Sequence, residues 1–358
     1  MSRTLENGKR TRWQSKGFAT AAAAQHALDA MLANDVAIAK RSPASLRSII
    51  SAYLERTDRD YSPTTLQRYR GLTKLLDGIG DLQVERLGSF QVERFYAGLR
   101  KCGLRGQPLS QMTILHVHAL LRSSCRWAKR RRLISRHPFE PDGVAAPRPG
   151  RTEAAALTVA EGRRFIAHLD RTQFRNALLF ALATGMRRGE VVGLKLAAID
   201  FARHVAIVRE SRYEIVGRRD QKPTKSGRVR EVALSKLALS ALKAERDRTE
   251  SLRTAAHDAW TESGFVFVDE LGLPLAPSAL SKAFNNVAKH AGLPKRYTLH
   301  SLRHTAATWM LAGGMELPAV QHVLGHTQAS TTSDVYAHVM EERARAAVDK
   351  IAEHLGPD

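Results

Sequence analysis

Four segments in the second half of the chain concentrate cationic and hydrogen-bonding side chains. They are ATGMRRGEVVGL (183–194) with Arg187 and Glu190, QKPTKSGRVREVAL (221–234) with Lys225, LHSLRHTAATWM (299–310) with His300 and Arg303, and LGHTQASTTSDVYAHV (324–339) with His326 and Tyr336. Taken singly, each has a plain explanation. Arg187 and Glu190, three apart, read as a surface ion pair on one helix face. Lys225 precedes a Ser226-Gly227 turn signal and reads as a solubilising group near the tip of a hairpin. His300 and Arg303 are an i, i+3 pair of a kind that arises by chance in an Arg-rich chain. Tyr336, beyond a helix stopped at Gly325, reads as a half-buried packing residue. Taken together, they meet the demands of one reaction. The phosphate of a phosphodiester is negatively charged and repels nucleophiles. Cleaving it without a metal needs cations on its non-bridging oxygens, and the guanidinium fork matches that geometry best. It needs a nucleophile held in line, which tyrosine can be, with a base near the nucleophile and an acid near the leaving oxygen. Two arginines, one lysine, two histidines and one tyrosine fill these roles.

The elements that must position these groups can be read from the surrounding pattern. A chain of 358 residues, 43% hydrophobic, is long enough for two or three domains. Its 56 Lys and Arg against 35 Asp and Glu leave a formal charge of +21, which attracts a polyanion, and nucleic acid is the commonest one in a cell. An aromatic content of 6% argues against base stacking as the main binding mode. Cys102 and Cys125 sit in apolar helical patterns and are expected to be small buried hydrophobes. There is no CxxC and no clustered Cys/His set, so neither a structural metal nor a cofactor is expected. The polar, basic N-terminus and the lack of any long apolar run point away from a membrane and to a cytoplasmic protein.

Residues 1–40 combine the basic stretch GKRTRWQSKGFAT with an alanine-rich helix beginning after Thr20. Residues 41–140 read as all-helical. In SPASLRSIISAYLERT, Leu46, Ile49, Ile50, Tyr53 and Leu54 form one apolar stripe, with Ser42 as cap and Pro43 in the first turn. Ser62-Pro63 opens a second helix, GSFQVERFYAGLRK makes a third, and a long fourth ends in Lys129, Arg130, Arg131 and Arg132. That cluster either complements the helix dipole or faces phosphates, and the net charge favours the latter. Residues 141–156, proline-rich like the stretch just before them, are expected to be a linker. Residues 157–358 are mixed, with strand-like runs at 204–210, 228–234 and 265–269 between helices. The fold class expected is mainly α with a small antiparallel sheet (α+β).

On these motifs the sequence resembles the tyrosine recombinases of the phage-integrase type. An Arg after Thr184-Gly185-Met186, a hairpin Lys, His300-x-x-Arg303, Leu324-Gly325-His326 and a Tyr ten residues further on occur in the family's order. The resemblance over 157–345 implies a catalytic domain in which Tyr336 attacks a DNA phosphate, giving a 3′-phosphotyrosyl bond and a free 5′-hydroxyl. It implies that Arg187 and Arg303 clamp the non-bridging oxygens, that Lys225 protonates the 5′-oxygen, and that His300 assists proton removal from Tyr336. It further implies that His326 donates to a phosphate oxygen and that Glu190 orients the surrounding shell. Lys222 competes with Lys225 for the acid's role, because hairpin alignments slide. Residues 41–140 resemble the family's helical core-binding (SAM-like) domain, which with the catalytic domain clamps DNA from two sides. Residues 1–40 resemble a short, truncated arm-binding segment of which the last strand and the helix are expected. The partners implied are double-stranded DNA attachment sites and three further copies in a homotetramer on DNA, from monomers when free. A host DNA-bending protein and an excision directionality factor are candidate further partners, and EERARAAVDKIAEHLG would form a C-terminal helix. No ATP or metal is implied. The activity implied is integration and excision of a phage or other mobile element. The alternatives are a chromosome-dimer resolvase of the same family, a type IB topoisomerase, and a DNA-binding protein that has lost catalysis.

Overall fold

A computed structural model describes residues 2–4, 10–12, 20–22, 25, 44–57, 60–103, 106–140, 143–150, 156–215, 218–223 and 229–325. Lys225, His326, Tyr336, Ser42, Pro43 and the C-terminal helix expected from EERARAAVDKIAEHLG lie outside them. The chain divides into two compact units, Met1–Arg151 and Thr152–Asp358.

The first unit begins with two short antiparallel strands, β1 (Ser2–Thr4) and β2 (Arg10–Arg12), paired Ser2 to Arg12. The sequence reading expected one strand here, not a ladder. Among the described residues that follow are the helices α1 (Leu46–Arg56), α2 (Pro63–Leu72), α3 (Ser89–Lys101) and α4 (Gln111–Arg130). The stripe Leu46, Ile49, Ile50, Tyr53 and Leu54 is buried as its 3.6-residue spacing requires. The cap of α1 is Ser45, whose side chain accepts from the Ser48 N–H at 3.2 Å, three residues later than the expected Ser42. Leu120, Leu121, Ile114 and Val117 of α4 are buried completely against α1 and their neighbours, each contributing about 1.5–3 kcal/mol. Ile134, Phe139 and Val144 also enter this core. The proline-rich segment is therefore packed onto the first unit at least as far as Val144, and is not open linker from residue 141. Cys125 is buried, but Cys102 is exposed. It stands just past the last turn of α3 with extended backbone, so the apolar period no longer applies to it.

The second unit is mainly helical with a small antiparallel sheet. Thr158 caps α5 (Val159–Ala167), with its hydroxyl and N–H held by Glu161. Next comes α6 (Arg175–Thr184), apolar nearly all round and correspondingly buried. The short α7 (Arg188–Val191) leads into the strands β3 (Ile199–Asp200), β4 (Val205–Val208), β5 (Glu210–Ile215), β6 (Arg218–Pro223) and β7 (Arg230–Ala233). Their order is β3-β4-β7 in one antiparallel sheet and β5-β6 in a separate ladder. The expected strand at 265–269 is absent: Phe265 and Val268 make only isolated bridges, to Lys195 and Pro274. The ladder β5-β6 fell in a segment too polar to read as a strand. Helices α8 (Lys236–Ala256), α9 (Pro277–His290), α10 (Leu299–Ala312) and α11 (Leu317–Leu324) follow among the described residues. Phe165, Phe180, Phe267 and Phe284 are fully buried at its centre. Among the described residues, no helix is long and apolar enough to cross a membrane.

Candidate active site

Helix α6 ends at Gly185, whose φ of +63° is the left-handed stop that the Thr-Gly-x-Arg motif implies. A Cβ at Gly185 would lie 2.5 Å from Leu324 Cδ2 and 3.1 Å from Ala306 Cβ, so the glycine also lets α6, α10 and α11 meet. Two residues on, Arg187 is the N-cap of α7. It does not share a helix face with Glu190, as expected from spacing; the helix begins after it. Its backbone N–H donates to Glu190 Oε2 (2.9 Å), Nη1 to Glu190 Oε1 (3.0 Å) and Nη2 to the Gly325 carbonyl (3.1 Å). The Glu190 side chain is only 1% exposed, so this is no surface ion pair.

Arg303, on α10, is 3% exposed. Its Nη1 donates to the Gly185 carbonyl (2.7 Å) and its Nη2 to the Leu324 carbonyl (2.6 Å). The two guanidinium groups thus converge on consecutive carbonyls, 324 and 325, at the negative end of α11. Gly325 itself is left-handed, φ +66°. Burial first, then the Arg187 charge, lowers the Arg303 pKa, while Glu190 opposes the shift; the group remains a cation at neutral pH.

His300 packs edge-on against His304, with ring centroids 4.8 Å apart. Its surroundings crowd it, yet by surface area the residue remains exposed. Burial, followed by His304, Arg303 and Arg187, pushes its pKa below the ordinary range. Solvent screens part of that effect, and the direction is what bears on chemistry: a neutral imidazole, able to accept a proton, near pH 7. His304 is lowered too, by burial and then by Arg303. Both histidines stay neutral in the folded state where the unfolded chain already binds protons. Stability conferred by these groups is therefore present above about pH 6.5, the unfolded histidine value, and lost as pH falls below it. Thermal melts from pH 7 to 5 should fall less steeply for the His300→Asn/His304→Asn double variant than for the parent; equal slopes would contradict this assignment.

One residue of this assembly was not singled out from the sequence. Arg230 donates Nη1 to Glu190 Oε1 (3.0 Å) and Nη2 to Oε2 (2.7 Å), with its side chain 8% exposed. Burial alone would raise the Glu190 pKa; the Arg230 hydrogen bonds and charge, with Arg187's, more than offset that and hold it below the ordinary value. Strand alternation carried the signal: Arg230 lies two residues before the buried Val232, on the inward face of β7. A charge on the buried face of a strand needs a partner. Two guanidinium groups therefore share one carboxylate, and with Arg303 close by the site has a positive excess suited to an anion. Among the described residues, no group of His, Cys, Asp and Glu is placed to hold a metal ion.

In the first unit, Lys129 is ion-paired with Glu140 and Arg131 lies over the Trp127 ring, 5.6 Å from its centroid. Arg130 and Arg132 are exposed beside them. The strands flanking Lys225 have different partners, β6 with β5 and β7 with β4.

The fold and this cluster define a class with known members. The model of the phage integrase family matches residues 156–343. The chain is 26% identical over 303 residues to the tyrosine recombinase XerC-like of Caldanaerobacter subterraneus subsp. tengcongensis, covering 79% of this chain and 75% of that protein. It is 30% identical over 249 residues to tyrosine recombinase XerD of Halalkalibacterium halodurans, covering 68% and 76%. The solved Tn1549 transposon integrase, in complex with transposon right end DNA, has the same fold, with a TM-score of 0.71 at 21% identity over 86% of this chain and 100% of that one. The chain belongs to the phage integrase family, the tyrosine recombinases, enzymes that cleave and rejoin DNA strands.

Proposed function

We propose that the protein is a site-specific integrase that inserts and excises a phage or other mobile element through a 3′-phosphotyrosyl intermediate. Tyr336 attacks the scissile phosphorus; the Oη–P bond forms as the P–O5′ bond breaks. His300 assists removal of the phenol proton, and Lys225 delivers a proton to the departing 5′-oxygen. Arg187 and Arg303 hold the non-bridging oxygens through the pentacovalent state, with His326 as a further donor. Glu190 orients Arg187. The 5′-hydroxyl of a partner strand then attacks the phosphotyrosyl bond and releases Tyr336. The phosphate ester is conserved throughout, so the exchange needs no ATP, and cationic side chains supply what a metal would. Before strand exchange, the helical first unit and the basic residues 1–40 grip the DNA at its attachment site, and four copies assemble there, aided by a host DNA-bending protein and, for excision, a directionality factor.

One observation carries this reading: the guanidinium groups of Arg187 and Arg303, 116 positions apart in sequence, end on adjacent carbonyls immediately before His326. The test is a duplex from the protein's own genomic flank, nicked close to the scissile bond so that cleavage is trapped. The wild-type protein should become covalently joined to it through a phenolic ester, and Tyr336→Phe should not. No adduct with wild type, or an undiminished adduct with Tyr336→Phe, would refute the reading. Lys225→Ala should slow cleavage by about 10²- to 10⁴-fold, the usual worth of a general acid, while Lys222→Ala cleaves nearly normally; the reverse moves the role to Lys222. A chromosome-dimer resolvase is the second reading, favoured by the Xer proteins among the relatives. Direct repeats and a flanking tRNA gene around the coding locus would support the integrase, and their absence the resolvase.

A further inference from the structure

The three arginines of this cluster are not equivalent. Arg187 and Arg303 reach the carbonyls that lead to His326, whereas Arg230 has both terminal nitrogens committed to Glu190. The same two carboxylate oxygens hold Arg187, by its backbone N–H and by Nη1. Arg187 in turn reaches the Gly325 carbonyl. Arg230 meets that end of the chain as well: a Cβ on Gly325 would lie 2.5 Å from Arg230 Cδ and 2.8 Å from its Nε. The flat guanidinium stem thus fills the space under the left-handed glycine, and Nε is buried there without a hydrogen-bond partner. An unpartnered buried donor costs stability, so packing beneath Gly325 is retained against a penalty.

We infer that Arg230 is a positioning residue for DNA cleavage, fixing Arg187 through Glu190 at one end and the Gly325 turn by direct packing at the other. This rests on the proposed function above and adds to it a residue outside the phosphate-binding set. Glu190 has two oxygens that accept four hydrogen bonds, two from Arg230 and two from Arg187. Without Arg230 its charge is neutralised by Arg187 alone, which is drawn towards the carboxylate and away from the carbonyl that aims it. A lysine cannot substitute, since it offers a point charge where two parallel bonds and a planar stem are required.

The experiment uses the full chain and the nicked genomic-flank duplex, with three readouts: the single-turnover rate of covalent adduct formation at saturating protein, the Kd for the same duplex, and the melting temperature. Arg230→Gln should slow adduct formation by about 100-fold, the cost of a misplacement near 1 Å, with Kd changed by less than about threefold because the phosphate contacts that dominate affinity are intact. Arg230→Lys should recover only a small part of the rate. Glu190→Gln/Arg230→Gln, whose buried pair is neutral, should form adduct no more slowly than Glu190→Gln, since residues acting as one unit are not additive. Parental rates for Arg230→Gln, or losses that multiply in the double variant, overturn the inference. If Arg230→Gln fails to fold, the double variant compared with Glu190→Gln decides alone. If the parent forms no adduct, the functional reading fails first, and visibly so.

Discussion

Arg303→Lys should reduce covalent adduct formation by about a thousandfold, at the upper end of what one lost transition-state donor costs. The substitution keeps the charge, so the loss tests geometry rather than electrostatic attraction. Arg303 is 3% exposed and spans two helix ends, with one terminal nitrogen on the Gly185 carbonyl at the end of α6 and the other on the Leu324 carbonyl at the end of α11. These are carbonyls that a helix leaves without an internal partner. An ammonium on a flexible stem can approach one of them but cannot hold both in the planar spread of a guanidinium. The end of α11 then loses one of the two guanidinium groups that hold it. One unpaired buried carbonyl adds a stability loss of about 1–3 kcal/mol. Single-turnover cleavage of the nicked duplex and a denaturant melt together check this. A lysine variant cleaving within tenfold of the parent would show that charge alone suffices at this position.

Arg187, Glu190, His300 and Arg303 were legible in the sequence because each sits in a short motif whose residue types have few joint uses. What the spacing could not show was how they meet. Arg187 and Glu190 look like helix-face neighbours three apart, yet Arg187 is the residue just outside the helix, and the contact runs through its backbone as well as its guanidinium. Arg230 was hidden in a segment of alternating charge, RVREVAL, where an exposed pair such as Arg203–Glu231 and a buried one such as Arg230–Glu190 read alike. Alternation puts Arg230 on the same face of β7 as Val232, and the fold shows that this face turns inward. His304 was hidden by its neighbour: the His-x-x-Arg pattern draws attention to His300, while the ring set edge-on against it is one helical turn further along. In the helical unit the 3.6-residue stripe located α1 well, but its cap moved from Ser42 to Ser45, since both serines satisfy the same local chemistry. The strand reading at 265–269 failed for the opposite reason. An apolar run buried in a core has no period that separates a strand from an irregular segment.

Glu190→Gln should destabilise the second unit by about 3–5 kcal/mol, the cost of stripping the partner from a buried charge, or on the order of 10 °C in Tm for a domain of this size. The magnitude follows from what is left behind. Arg230 keeps its charge with its side chain 8% exposed and both former acceptors altered, and Arg187 loses the carboxylate that held its backbone and its Nη1. An exposed pair such as Arg47–Asp81 would be worth far less, because water replaces either partner. Burial pushes the Glu190 carboxyl upward, but hydrogen bonds and charge from Arg230 and Arg187 leave it below its ordinary pKa. The sign for stability follows from that net lowering. The unfolded chain takes up this proton at a higher pH than the folded one, so the stabilisation is complete above the ordinary carboxylate pKa and is lost as pH falls through the folded value. Denaturant melts of the parent should therefore weaken on the acid side with a component missing from Glu190→Gln. Because the damage comes from an uncompensated guanidinium, Glu190→Gln/Arg230→Gln should be more stable than Glu190→Gln. A single variant as stable as the parent, or a double variant weaker than the single, would mean that this cluster does not hold the buried charge balance its geometry describes.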